Sequence, residues 1–378
     1  MRRTAALLLH PPFGTSRGER LVDGARRAAA LDLLSLLREA GMRDVLVLCD
    51  PSFSRQAEEA GARVLPPAEG AFHFGLALKR VVREEGLDGI LYVGSGSGVL
   101  LDLPQVRRLV DFSRRREAGA LLNNAFSCDV AAIAQARRLL DADLPAIDNP
   151  LGFTLSDLGM PVYALPRDAA SQFDIDTPTD LVVLGAAGRG GPRLRAFLAE
   201  EPLAHPFLDP LLGCLADRRA RLLLVGRVNP ETWGAFEREV ACRTSALAEG
   251  RGLRSYPDRP GTLLGTLLEE VGPERMLREL SLRADAAILD TRPLLARGGQ
   301  LPPASDRFAS DLLSPEEIRD PIWAAFTRTA LSSSVPVLLG GHSLVSGGLF
   351  LLAEACWKGH DLPRRLHPET FGWTKESS

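Results

Sequence analysis

The sequence predicts an α/β fold, with a mainly parallel sheet in a first domain and a second α/β domain after it. Three observations carry this. Short apolar runs alternate with stretches of helical period through the first half, the pattern of strands joined by crossover helices. The alternation restarts beyond residue 220. A chain of 378 residues with 45% apolar content is long enough for two or three cores.

The elements follow in order. Residues 5–9 (Ala-Ala-Leu-Leu-Leu) read as the opening strand. Residues 25–40 read as a helix, with Leu31, Leu33, Leu34, Leu36 and Leu37 giving a broad face to lay on a sheet. A strand at 45–49, the segment 61–64, a helix at 75–85 and a strand at 90–94 follow. Residues 105–117 carry five arginines (107, 108, 114, 115 and 116) and read as a solvated helix face. Leu121-Leu122 ends a short apolar run, and one reading of the polar cluster after it starts a helix near Asp129. A join rich in small residues spans 185–192, which divides the chain into domains at 1–187 and 188–378. A helix at 193–200, a strand at 221–228, a helix at 230–242 with Pro230 in its first turn, and strands at 286–290 and 335–339 complete the reading. There is no internal repeat or low-complexity tract.

Composition narrows the function classes. The net charge of −3 offers no global basic field for nucleic acid. The five cysteines are scattered, form no C-x-x-C pair and are odd in number, which points to a reducing, cytoplasmic setting without a disulfide frame or zinc cluster. No apolar run approaches the ~20 residues of a membrane span, and the one at the N-terminus stops at His10-Pro11-Pro12, short of a signal peptide.

The chemistry concentrates in Gln172-Phe173-Asp174-Ile175-Asp176-Thr177-Pro178-Thr179-Asp180-Leu181. In extended chain, residues i and i+2 share a face, so Asp174 and Asp176 can present two carboxylates to one hard cation. Pro178 suits the first turn of a helix and Thr177 its N-cap. The competing reading is a capping turn with solvated acids.

This run resembles the closing motif of the GT-A-fold nucleotidyltransferases, among them the molybdenum-cofactor guanylyltransferases and phospholactate guanylyltransferases. The order of segments over about residues 4–190 fits as well. The resemblance implies transfer of a nucleotidyl group from an NTP to a small phosphorylated or hydroxyl acceptor, with release of pyrophosphate and Mg²⁺ as cofactor. It implies Asp174 and Asp176 as metal ligands and catalytic carboxylates, with Asp129 next. Arg17 and Arg20 would steady the triphosphate, and the loop containing Ser95, Gly96 and Ser97 would pass close to ribose or phosphate. Two departures stand out. The first loop, 10–20, has two glycines and two arginines but no lysine. The run Gly94-Ser95-Gly96-Ser97-Gly98 has no carboxylate until Asp102, where the family carries a Mg²⁺ ligand. Either other acids hold the metal, or the domain binds a nucleotide or sugar phosphate without turnover.

Other polar turns remain. Asn123 and Asn124, just past a strand, either read a base or ribose edge or make a turn, with Ser127 capping a helix. Asp148-Asn149-Pro150 reads as a turn. In the second half, Gly340-Gly341-His342-Ser343-Leu344-Val345-Ser346-Gly347-Gly348 lies between a strand and a helix at 349–357. It admits three readings: an anion-binding turn using His342, Ser343 and Ser346, a tight packing turn, or a serine-hydrolase elbow centred on Ser343 with Asp361 and His367 downstream. The elbow lacks its second glycine, since Val345 stands there. Arg243 and Arg251 complete an expectation that the two halves share an anionic substrate. Oligomeric state is not legible.

Overall fold

A computed structural model describes residues 2–66, 70–201, 203–250, 261–295 and 301–359. The first sheet has seven strands: β1 (Thr4–His10), β2 (Asp44–Cys49), β3 (Arg63–Val64), β4 (Gly89–Gly94), β5 (Gly119–Leu122), β6 (Val130–Ala134) and β7 (Val162–Ala164), in the order β3-β2-β1-β4-β6-β5-β7. All pairs are parallel except those of β6, which runs antiparallel to both β4 and β5. Both faces are covered: Ala5, Leu7 and Leu9 enter one core while Ala6 and Leu8 enter another. Two-sided burial explains why the strands read as continuous apolar runs rather than alternating ones.

That same property explains one correction. The helix expected near Asp129 is β6 instead. Val130, Ala131, Ala132, Ile133 and Ala134 are all buried, and a short run apolar on every side carries no period that separates strand from helix. Ser127 therefore caps no helix there.

The second sheet is wholly parallel: β8 (Arg221–Gly226), β9 (Arg243–Ala248), β10 (Ala286–Asp290) and β11 (Val337–Gly340), in the order β11-β10-β8-β9. The sequence reading missed β9, an edge strand whose residues are mostly exposed or half-buried and so leave little apolar signal.

The two sheets are joined by one core. Leu222, Leu224, Ile288 and Leu338 of the second sheet cluster with Leu21, Val22 and Ala25 of helix Arg17–Glu39 and with Phe173, Ile175, Leu181 and Leu184. Helix Pro192–Glu200, beyond the expected boundary at 187, lies back on helix Arg17–Glu39. The Asp32 carboxylate accepts from the backbone of Arg193 (3.1 Å) and Leu194 (3.0 Å), tying down its first turn. As expected, helix Pro178–Ala187 opens on Pro178, and Thr177 forms a capping box with Asp180.

Close approach sets the residue type where the halves meet. A Cβ on Gly347 would lie 2.3 Å from Phe173 N and Cα. Gly347→Ala is therefore expected to lower the unfolding free energy by about 1–3 kcal/mol through overpacking, read from urea midpoints. Gly185→Ala, in an exposed helical position where a Cβ meets nothing within 4 Å, should instead raise it by roughly 0.5–1 kcal/mol.

Candidate functional site

The site grows from the acidic segment. Phe173 and Ile175 are buried anchors, 1% and 0% exposed, so the intervening and flanking Asp174 and Asp176 turn to the other face. The Ile175 N–H donates to Gly96 O (2.8 Å), laying the segment on the Gly/Ser loop. Gly96 allows this approach: a Cβ there would lie 2.7 Å from Arg26 Nε and 2.8 Å from Ile175 O. Arg26 donates to Ile175 O (2.5 Å) and to the Asp176 carboxylate (2.8 Å). Asp176 remains 46% exposed, whereas Asp174 is half-buried.

Asp129 joins this group from the start of β6, its carbonyl accepting from the Gly94 N–H (3.0 Å). Burial, with repulsion from Asp174, Asp148 and Asp176, pushes the Asp129 carboxyl well above the ordinary carboxylate range. Burial and then the Asp176 charge push Asp174 up to about 7, opposed by a hydrogen bond from Ser97. Asp148 completes the cluster and accepts from the buried Tyr92 hydroxyl (2.5 Å). In sequence, Asp148 reads as a weaker site, more often just a turn. The available signal was a tyrosine inside an otherwise apolar strand, since a buried phenol needs a polar partner. Among the described residues, no three His, Cys, Asp or Glu side chains are arranged to hold a metal by themselves.

His10 was also overlooked. It is 1% exposed and sits between Ser95 Oγ (3.0 Å from Nδ1) and Asp23 Oδ1 (2.9 Å from Nε2). Asp23 can only accept at Nε2 while ionised, which leaves Nδ1 to accept from the Ser95 hydroxyl. Burial lowers the imidazole to about 4, against the pull of Asp23.

Several residues expected to meet the nucleotide have partners within the chain. The Ser95 hydroxyl is engaged by His10, and the backbone N–H groups of Ser95 and Ser97 donate to Leu9 O (2.8 Å) and Gly94 O (3.0 Å). Those two amides are thus not aimed at a phosphate; the loop supports the acids instead. Asn123 is 5% exposed, accepts from the backbone of Asp129 and Val130 (both 3.0 Å) and donates to Ser171 O (3.2 Å). Asn124 accepts from the Phe126 N–H (3.0 Å) and contacts Gln172 Oε1 (3.4 Å). Both asparagines make the turn contacts that one of the two readings expects. Arg17 and Arg20 lie exposed on the first turn of helix Arg17–Glu39, where Arg20 donates to Thr15 O. The arginine that meets the acidic segment is Arg26, farther along the same helix.

The glycine-rich turn that follows β11 of the second sheet abuts the segment directly. Ser343 Oγ, 1% exposed, accepts from the Asp174 N–H (3.0 Å). Ser346 Oγ lies 3.3 Å from Gln172 O and 3.0 Å from His342 O. The anion-binding reading of Ser343 and Ser346 is corrected accordingly: both hydroxyls are buried in backbone contacts. The same burial removes Ser343 from the role of an exposed acyl nucleophile, and Asp361 and His367 lie outside the described residues. His342 is half-buried, and against burial Arg227, ahead of His342 and Arg292, lowers the Asp290 carboxyl. The nearby arginines are already matched: Arg227 grips Asp290 (2.6 and 3.0 Å), and Arg292 grips Asp311 (2.9 and 2.8 Å). Arg243 starts β9, in register with Arg221 at the amino edge of the sheet, away from the junction; Arg251 lies outside the described residues.

The chain is similar, over its N-terminal half, to a cytidylyltransferase from Leptospira borgpetersenii (15% identity, 53% of this chain and 96% of that one, TM-score 0.37). It is similar also to a nucleotidyl transferase from Methanothermobacter (20% identity, 52% and 98%, TM-score 0.36). A third likeness is to CMP:2-keto-3-deoxy-manno-octonic acid synthetase complexed with CTP (12% identity, 53% and 99%, TM-score 0.34). No family model and no curated protein matches the sequence. No helix among the described residues is long and apolar enough to cross a membrane.

The raised Asp174 carboxyl gives a pH prediction. Folded Asp174 holds its proton more tightly than unfolded Asp174, whose ordinary value is 3.8. Its contribution to stability is present below that value and is lost as pH rises through about 7. Asp174→Asn should melt close to the parent near pH 4 and above it at pH 8; thermal unfolding at the two pH values checks this.

Proposed function

We propose that the first domain is a GT-A-type nucleotidyltransferase that moves a nucleotidyl group from an NTP to a small phosphorylated or hydroxyl acceptor, releasing pyrophosphate. The observation that carries this reading is the convergence of Asp129, Asp174 and Asp176 beside the Gly/Ser loop. The carboxylate that the loop lacks in sequence is supplied from the adjacent strand by Asp129.

Mg²⁺ fits this donor set. Carboxylate oxygens are its preferred ligands, and it commonly takes one or two of them together with substrate phosphates, so three protein ligands are not required. Burial and mutual repulsion raise Asp129 and Asp174, and such a site gains stability from a positive ion. Asp174 and Asp129 would hold the metal, with Asp176 steadied by Arg26. The ion would supply charge neutralisation on the phosphates. Ser97 orients Asp174, and the His10–Ser95 contact fixes the loop beneath it.

A binding protein without turnover is the second reading. The closed Ser95 and Ser97 amides favour it, because they remove two donors from a phosphate cradle. Incubation with each NTP and Mg²⁺, followed by pyrophosphate release and thermal shift, separates the two. A transferase releases pyrophosphate with a Mg²⁺-dependent shift; a binder shows the shift alone with any acceptor supplied. In a transferase, Asp174→Asn should cut pyrophosphate release on the order of 100-fold. Retention of full activity by that variant rules out the assignment.

A further inference from the structure

We infer that the turn at 340–348 is a positioning element for the acidic segment, so that the second domain fixes where the first domain's carboxylates stand. The inference rests on the nucleotide-transfer reading above and gives the second domain a part in it.

The segment from Gln172 to Thr179 belongs to neither sheet. The first domain holds it at Ile175, through Gly96 O and Arg26. On its other side the contacts come from the second domain. Ser346 Oγ meets Gln172 O, and Gly347 packs against the Phe173 backbone. Ser343 Oγ accepts the Asp174 N–H, Gly341 faces the Thr177 methyl, and the Thr179 hydroxyl donates to Leu339 O (2.5 Å). Glycine recurs in the turn because a Cβ at 341 or 347 would come within 2.8 and 2.3 Å of the segment. Ser343 is the telling residue. At 1% exposure an apolar side chain would satisfy packing, yet a hydroxyl stands there and meets the backbone of the central aspartate. A carboxylate site needs its ligands held within a fraction of an ångström by supporting contacts of this kind. Ser343 is thus a positioning residue, acting on the site through the Asp174 backbone.

The test uses the full chain with Ser343→Ala, and Ser346→Ala as a second, milder variant, alongside Asp174→Asn. Amide hydrogen exchange across 172–177 reads the position of the segment. Titration with each of the four NTPs, in Mg²⁺ and in EDTA, reads the site. Ser343→Ala should speed exchange at the Asp174 amide and weaken the Mg²⁺-dependent part of NTP affinity by roughly fivefold to tenfold, as expected for one lost buried hydrogen bond. Affinity in EDTA should stay as in the parent, which a general loosening of the interface would not spare. Unchanged exchange overturns the inference, as does unchanged Mg²⁺-dependent affinity in Ser343→Ala when Asp174→Asn loses it. If the parent itself binds no NTP in Mg²⁺, the nucleotide reading fails first and this inference falls with it.

Discussion

The hydrogen bond from Ile175 N–H to Gly96 O, with Ile175 buried beneath it, is the constraint on which the rest of the molecule turns. It stitches a stretch with no strand partner onto the end of the first sheet. Burying one residue in an extended chain forces its two neighbours to the opposite side. Two carboxylates are thereby delivered to the mouth of β4 by an apolar contact, with Arg26 holding Asp176 and the Ile175 carbonyl beside it. The same segment then serves as the surface against which the turn after β11 packs. The turn's small and hydroxylated residues match a backbone, not a side-chain face.

Like charges gathered in this way cost stability. Asp129 and Asp174 are both displaced upward, chiefly by burial. The cost is offset by the continuous core that links the two sheets, running from helix Arg17–Glu39 through Phe173 and Ile175 to β8 and β10. The second sheet handles charge differently. Arg227 and Arg292 there each grip a carboxylate with bidentate geometry, a closed arrangement that is structural in kind. One sheet thus ends in carboxylates that repel one another and the other in ion pairs that are satisfied. That contrast is what supports proposing a cation at the first edge and not the second.

Much of this was legible in the sequence for definite reasons. The strands of the parallel core were visible because two-sided burial writes them as apolar runs, and the helix at Pro178 because Thr-Pro and a following acid are capping chemistry. β6 was misread because its five small apolar residues have no period, and β9 was missed because an edge strand needs no apolar stripe. Within the proposed site, Asp174, Asp176 and Asp129 could be singled out as candidates from residue type and place in the chain. The roles of Asn123, Ser95 and Ser343 could not, because residue type shows that a side chain can hydrogen-bond and not with what. His10, Asp23 and Arg26 stayed hidden for a related reason. His10 ends an apolar strand, and its partners come from a helix and from a loop 85 residues away.

The two motifs that stood out in the sequence, the acidic run and the glycine-rich turn, read separately as two ligand sites. Their contact changes what the second one means. Glycine and serine after a parallel strand signal that something must approach the backbone closely, and a bound anion is one such thing. Another stretch of the same chain is an equally good one. Here the approaching group is the backbone of Phe173 and Asp174, and the serine hydroxyls are matched to it. Close approach is what such a motif encodes. Whether a ligand or the protein itself fills the space is decided by long-range packing, in this chain by contacts bridging about half its length.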